Sequence, residues 1–82
     1  MYKIGVVGAG HLGRIHIKIL QNADFVKLVG FYDIDRQVRE KINVEFGVKA
    51  FESYSALLEK CDIIDIVTPT LSHYSCAKQA LH

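Results

Sequence analysis

The 82-residue chain lacks the features that mark membrane, secreted and nucleic-acid-binding proteins. No apolar run approaches the roughly 18 residues that a membrane-spanning helix needs, so we expect no membrane span. The N-terminal Met-Tyr-Lys leads directly into an apolar run, without the basic, apolar and small-residue order of a signal sequence, which predicts a cytoplasmic location. The formal net charge is only +1, and Lys and Arg are scattered. Nucleic acid, which requires a clustered basic face, is therefore not an expected partner.

The chain also has only two cysteines and one proline, and its four histidines are scattered. The two cysteines, Cys61 and Cys76, form no CxxC pair, and in a cytoplasmic protein they are expected to be small buried apolar residues. The four histidines show no metal-ligand spacing, so no metal site is predicted, and His16 and His82 are given no role. The single proline, Pro69, ends an apolar run.

Strand-like and helical patterns alternate along the chain. The predicted strands are 4–7, 25–33, 48–51 and 63–68, and the predicted helices are 11–22, 36–46, a short helix after 53, and 72–81. Such alternation predicts an α/β fold with a doubly wound parallel sheet of about four strands in the order 3-2-1-4.

Two details of this fold can also be predicted. In the first helix, an apolar stripe should face the sheet, and it consists of Leu12, Ile15, Ile19 and Ala23. The fourth strand would have no neighbour on its far side within the chain. An open apolar edge invites pairing with another molecule, so we expect self-association through the exposed edge of that fourth strand.

A glycine motif joins the first strand to the first helix. It consists of Gly8, Ala9, Gly10, His11, Leu12 and Gly13. Strand, G-x-G-x-x-G turn and helix form the fingerprint of a Rossmann-like dinucleotide site, although a glycine-rich turn alone gives the same letters. Gly8 would allow a tight turn, Gly10 would let a pyrophosphate approach the backbone, and Gly13 would let the helix pack on the sheet. The backbone N–H groups of the first helical turn would then face the anion, aided by the helix dipole.

Asp33 ends the second strand, twenty residues after Gly13. In a dinucleotide fold, a carboxylate here accepts hydrogen bonds from the adenosine ribose hydroxyls. Its charge would repel a 2′-phosphate, which favours NAD over NADP as the cofactor. Arg36 leaves the choice open, because it begins the next helix and could reach a phosphate if its side chain turned inward. The alternative for Arg36 is a solvated position on the helix face.

The segment after the fourth strand points to the same crevice. In open α/β sheets the carboxyl end of that strand lies beside the glycine loop, where ligands bind. Pro69 would fix the direction of the chain, while Thr68 and Thr70 offer hydroxyls to a ribose or nicotinamide. His73 would begin a helix that faces the crevice, although a lone histidine in that place is often structural.

Taken together, the segments GVVGAGHLGRIH, FYDID, EFGV and DIIDIVTPTLSH resemble the N-terminal part of the Gfo/Idh/MocA oxidoreductases. The resemblance covers essentially the whole chain. It implies that residues 8–12 hold the pyrophosphate and that Asp33 holds the adenosine ribose. It also implies that Thr68, Pro69 and Thr70 line the nicotinamide side, with His73 close by. Members of this family act on sugars, polyols and related small molecules with NAD or NADP.

The family pattern continues beyond what this sequence contains. In the family, a further strand carries a Glu-Lys-Pro motif with the active-site lysine, and a second domain builds the substrate pocket. Residues 1–82 are therefore expected to be an incomplete NAD(P)-binding domain without the C-terminal substrate domain, and no residue is assigned a catalytic role. We expect this chain alone to be inactive. Two alternatives are a stand-alone redox-sensing or regulatory module that binds a nucleotide, and a folded scaffold that binds nothing appreciably.

Overall fold

A computed structural model describes residues 1–67 and 72–76. The elements are β1 (Tyr2–Val7), α1 (His11–Gln21), β2 (Val26–Tyr32), α2 (Arg36–Phe46), α3 (Tyr54–Lys60), β3 (Ile63–Val67) and β4 (Ser72–Cys76). Among these elements, no helix combines the length and apolar character needed to cross a membrane.

The strands form one sheet in the order β2-β1-β3-β4. β1 lies in the centre and pairs in parallel with β2 on one side and β3 on the other. The predicted α/β, Rossmann-like fold is confirmed. The third predicted strand, 48–51, lies beside β2 as expected, but it makes only an isolated parallel bridge between Phe31 and Ala50. The predicted order 3-2-1-4 therefore differs from the observed order in detail.

β4 corrects the last predicted element. The sequence pattern predicts a helix over 72–81, but residues 72–76 form a strand antiparallel to β3, with Val67 opposite Ser72 and Ile63 opposite Cys76. The antiparallel pairing satisfies the backbone groups along the outer edge of β3, which the alternation of strands and helices would have left unpaired. The expectation of an open β3 edge is wrong, so self-association stays a prediction without that route. Residues 77–82 of the predicted helix lie outside the described residues.

The rotation of α1 also differs from the prediction. Three of the four expected inner residues are exposed, with Leu12 at 39%, Ile15 at 44% and Ile19 at 62%, whereas Ala23, which follows the helix, is partly buried against the core. The buried residues of α1 are instead Gly13, Ile17 and Leu20. Gly13 packs against the backbone of the glycine loop, which fixes the rotation of the helix about its axis. The residues four and seven positions after Gly13 therefore face the sheet.

α2 begins and ends as the sequence predicts. Asp35 is the N-cap, and its carboxylate accepts a hydrogen bond from the backbone N–H of Gln37 at 2.8 Å. Gly47 follows the helix in the left-handed region, with φ of 67°, and donates its N–H to the carbonyl of Asn43. These contacts satisfy backbone groups that a helix cannot pair internally.

Two apolar clusters cover the two faces of the sheet. The first lies under α1 and α2, and its buried residues include Ile4, Val6, Ile17, Phe31 and Ile42. The second lies under α3, and its buried residues are Phe51, Leu57, Leu58, Cys61 and Ile64. The prediction of a buried Cys61 is confirmed, whereas the side chain of Cys76 lies outside the described part of the chain. Burial, together with the charge of Asp62, raises the pKa of the Cys61 thiol to about 11.

Candidate functional site

The glycine loop between β1 and α1 is held between the ends of two neighbouring strands. Gly8 has φ of 90°, a conformation that strains any residue with a Cβ. A Cβ on Gly8 would also overlap the carbonyl oxygen of Val67 at the end of β3. On the other side, the Gly8 N–H donates to the carbonyl of Tyr32 at the end of β2, at 2.9 Å. The loop therefore adopts a tight turn that requires glycine at position 8.

The first turn of α1 rests directly on this loop. A Cβ on Gly13 would overlap the carbonyl oxygen of Gly8, so glycine permits the close approach of helix and loop. The first intrahelical hydrogen bond runs from the Arg14 N–H to the carbonyl of Gly10, at 2.9 Å. The N–H groups of residues 11–13 precede that bond and project from the helix N-terminus.

The N-terminus of α1 is open toward a cavity. Gly10 is its N-cap, and no side chain in the described part of the chain caps this helix end. The position that a Cβ of Gly10 would take has no atom within 4 Å. In contrast, Asp35 and Ser53 cap α2 and α3. The start of α1 thus combines exposed donors, the positive end of a helix dipole and room for a ligand.

Asp33 holds the glycine loop from the side of β2. Its Oδ2 accepts a hydrogen bond from the Ala9 N–H at 2.8 Å, and its Oδ1 accepts one from the Asp35 N–H at 2.8 Å. Each carboxylate oxygen can accept more than one hydrogen bond, so both retain capacity for a ligand hydroxyl. The carboxylate therefore both braces the loop and faces the cavity.

The predicted residues of the glycine motif and Asp33 come together around one cavity of about 450 Å³. Its lining consists of Gly8, Gly10, His11, Leu12, Gly13, Asp33 and Val67. Ala9 joins the same group through its hydrogen bond to Asp33. The volume lies within the usual range for small-molecule sites.

The structure describes the other predicted site residues only in part. Thr68, Pro69 and Thr70 lie outside the described residues. His73 was expected at the start of a helix, but its backbone belongs to β4 and pairs with Ile66; its side chain lies outside the described residues. Arg36 points along its own helix, where its Nε donates to Glu40 Oε1 at 3.2 Å.

Sequence reasoning missed one pair of polar residues behind the site. Asp65, in the middle of β3, is 0% exposed, and its Oδ2 lies 2.6 Å from Nδ1 of His16 in α1. The carboxylate within the apolar run IIDIV was the available signal, because a buried charge requires a partner. Tyr74 lies opposite Asp65 in β4. The pKa of the Tyr74 hydroxyl is raised, mainly by desolvation and to a smaller extent by the negative charge of Asp65.

Comparison with known sequences identifies relatives of this chain. The model of an oxidoreductase family with an NAD-binding Rossmann fold, GFO_IDH_MocA, matches residues 2–82. UDP-N-acetylglucosamine 3-dehydrogenase of Acidithiobacillus ferrooxidans is 37% identical over 79 residues, which are 96% of this chain and 25% of that protein. Glucose-6-phosphate 3-dehydrogenase of Bacillus subtilis is 37% identical over 81 residues, which are 99% of this chain and 23% of that protein. The chain thus spans about a quarter of the length of these curated relatives.

Solved structures agree with these relatives. The structure of UDP-N-acetylglucosamine 3-dehydrogenase from A. ferrooxidans superposes with a TM-score of 0.72 at 38% identity, over 84% of this chain and 22% of that chain. Scyllo-inositol dehydrogenase of Lactobacillus casei, solved with NAD(H) and scyllo-inositol, gives a TM-score of 0.70 at 29% identity, over 84% of this chain and 22% of that chain. The glycine loop, the parallel strands around it and these matches show that the chain belongs to the Gfo/Idh/MocA oxidoreductase family and corresponds to its NAD-binding Rossmann domain.

Proposed function

We propose that the cavity at the start of α1 binds NAD, and that the chain is the cofactor-binding part of an oxidoreductase acting on a sugar, a polyol or a similar small molecule. The observation that carries the proposal is the space beside Gly10, above the N-terminus of a helix that no side chain of residues 1–67 or 72–76 caps. A cytoplasmic location is part of the same proposal.

The backbone of the glycine motif fits a pyrophosphate. The N–H groups of His11, Leu12 and Gly13 precede the first hydrogen bond of α1, and the helix dipole adds about half a positive charge at this end. No acidic side chain lies in the first turn of α1 to repel an anion. Hydrogen bonds from these donors to a charged phosphate would each contribute roughly 1.5–3 kcal/mol. The pyrophosphate is therefore assigned to residues 8–13.

Asp33 fits the adenosine ribose. Its two oxygens are held in place by the N–H groups of Ala9 and Asp35, so a hydroxyl donor meets a fixed acceptor. A 2′-phosphate would meet the same negative charge. The two nearby cations are engaged elsewhere, because Arg36 pairs with Glu40 and Arg39 donates to the backbone carbonyl of Asp33 at 2.7 Å. These contacts support NAD over NADP as the cofactor.

The nicotinamide side is assigned to Thr68, Pro69, Thr70 and His73, on the basis of the family resemblance. NAD, when bound, supplies the acceptor for a hydride. Oxidation of a hydroxyl carbon also needs a positioned acid or base, and we assign that role to no residue of this chain. We therefore propose that residues 1–82 bind the cofactor without turning over a substrate. The similarity to the two sugar dehydrogenases supports the substrate class of the larger enzyme.

Isothermal titration of the chain with NAD and with NADP tests the proposal. We expect saturable binding of NAD, binding of NADP that is weaker by at least ~10-fold, and no reduction of NAD when sugars or polyols are added. Val44→Ala is a suitable control, because Val44 is exposed on α2 and contributes nothing to the cavity lining. Absence of binding at millimolar NAD would refute the cofactor site and favour an inert scaffold. If this chain binds NAD and its gene encodes no oxidoreductase segment after residue 82, the redox-sensing alternative would be favoured.

A further inference from the structure

The buried pair of His16 and Asp65 lies directly behind the glycine loop. We propose that it is a positioning pair that holds α1 against β3 and thereby keeps the loop in the geometry that binds a dinucleotide. The proposal rests on the proposed function for the identity of the ligand, and on the structure alone for the effect on the loop.

Stability does not explain why this pair is present. Asp65 is 0% exposed, and its Oδ1 is buried without a hydrogen-bond partner among the described residues. Only Oδ2 is satisfied, through His16 Nδ1 at 2.6 Å, and the His16 side chain is itself largely buried. Removing such groups from water offsets much of their attraction, so apolar residues of similar size would often stabilise the fold equally well. A buried pair that is only partly satisfied therefore points to a role in geometry.

The pair connects the two elements that grip the loop. Asp65 lies two residues before Val67, whose carbonyl oxygen packs against Gly8. His16 lies one helical turn after Gly13, which packs against the carbonyl of Gly8. The hydrogen bond between His16 and Asp65 therefore sets the distance between the two surfaces that confine Gly8.

This arrangement complements the contact on the other side of β1. Asp33, immediately after β2, holds Ala9 through its N–H at 2.8 Å. Asp65, on β3, holds α1 through His16. One carboxylate from each side of the central strand thus restrains the loop, and loss of the His16 contact leaves the loop with the carboxylate of Asp33 alone. A cavity of about 100 Å³ lined by His16, Ile19, Leu20 and Tyr74 gives the helix room to shift.

Three variants separate positioning from simple stability. His16→Ala removes the donor, and His16→Asn restores one, because the Asn amide nitrogen is attached to Cγ just as Nδ1 is in histidine. Ile17→Val is the matched control, since Ile17 is buried in the same helix but does not line the cavity beside the pair, and the loss of one methyl group destabilises the fold. The affinity for NAD is measured by calorimetry at a temperature at which circular dichroism shows every variant to be folded. The amide hydrogen exchange of residues 8–13 is measured by NMR on the same samples without ligand.

We expect His16→Ala to weaken NAD binding by ~10-fold or more and to accelerate exchange in the loop. His16→Asn should recover most of both properties, and Ile17→Val should keep the wild-type affinity and loop exchange despite a lower Tm. If His16→Ala does not fold, Asp65→Leu, which removes the acceptor, and His16→Asn are compared in its place, and only Asp65→Leu should loosen the loop. Unchanged loop exchange in the folded pair variants would overturn the inference, as would an equal effect of Ile17→Val. Failure of the wild type to bind NAD would overturn the proposed function alone, because the exchange experiment requires no ligand.

Discussion

Gly10→Ala should abolish most dinucleotide binding while leaving the fold nearly intact. Gly10 has φ of −67° and ψ of −161°, values that alanine adopts without strain, and its Cβ would meet no atom within 4 Å. Alanine is a poorer N-cap than glycine, so we expect a loss of about 0.5–1 kcal/mol in the free energy of unfolding. The added methyl group would nevertheless occupy the space above the N–H groups of His11 and Leu12, where the pyrophosphate is proposed to lie.

The expected loss of affinity follows from the donors that the methyl group blocks. Two charge-assisted hydrogen bonds, at roughly 1.5 kcal/mol or more each, amount to at least about 3 kcal/mol. That free energy corresponds to a weakening of NAD binding by more than ~100-fold. Calorimetric titration gives the affinity, and urea unfolding gives the stability of the same preparation.

Gly13→Ala, three residues away, should destabilise the fold, which Gly10→Ala leaves nearly intact. Alanine in a helix interior is normally favoured over glycine by about 1 kcal/mol. Here its Cβ would overlap the carbonyl oxygen of Gly8, so we expect a net loss of about 1–3 kcal/mol in stability. Wild-type NAD affinity in Gly10→Ala, or a Gly13→Ala protein more stable than the wild type, would refute this account of the loop.

Three further predictions concern the fold. Burial raises the pKa of the Cys61 thiol from 9.0 to about 11, so the thiol of the unfolded chain loses its proton at a lower pH than that of the folded chain. The free energy of unfolding should therefore decrease from pH 9 to pH 11. Urea titrations at several pH values check this decrease, which should be smaller in Cys61→Ala. Asp35→Ala should lower stability by about 1 kcal/mol through loss of the α2 cap, and an unchanged urea midpoint would contradict it. Ile17→Ala should lower the free energy of unfolding by about 2–5 kcal/mol, because Ile17 is buried, whereas Ile19→Lys should change it by less than about 0.5 kcal/mol, because Ile19 is exposed. Thermal melts in which Ile19→Lys is the less stable variant would contradict the observed rotation of α1.

The glycine motif was predictable because its geometry depends on residues that are adjacent in sequence. Gly8 adopts the positive φ of a tight turn and Gly13 packs on the loop, as the spacing of the glycines indicates. Asp33 was identified in the same way, since the end of the second strand lies beside the loop in any parallel sheet of this order. The bracing hydrogen bond from Ala9 to Asp33 was not predictable, because it depends on the exact height of the loop above the strands.

The errors arise where local patterns leave two solutions of similar quality. In α1, the residues Leu12, Ile15 and Ile19 form as regular an apolar stripe as the one that is buried. Contact between Gly13 and Gly8 selects the other rotation, and that contact is visible only in three dimensions. Likewise, 72–76 could extend a helical pattern, but pairing with the edge of β3 makes it a strand.

The proposed site combines two kinds of residue that differ in how they can be found. Backbone donors and glycines line the cavity, and their local spacing is sufficient to identify them. His16 and Asp65 lie 49 residues apart in sequence, and neither belongs to a motif that predicts the other. Asp65 was conspicuous only as a charge within an apolar strand, and His16 only as a histidine beside the predicted stripe of α1. A charge in a buried strand should therefore be treated as a prediction of an unseen partner, and the helix that covers the strand is the first place to look for it.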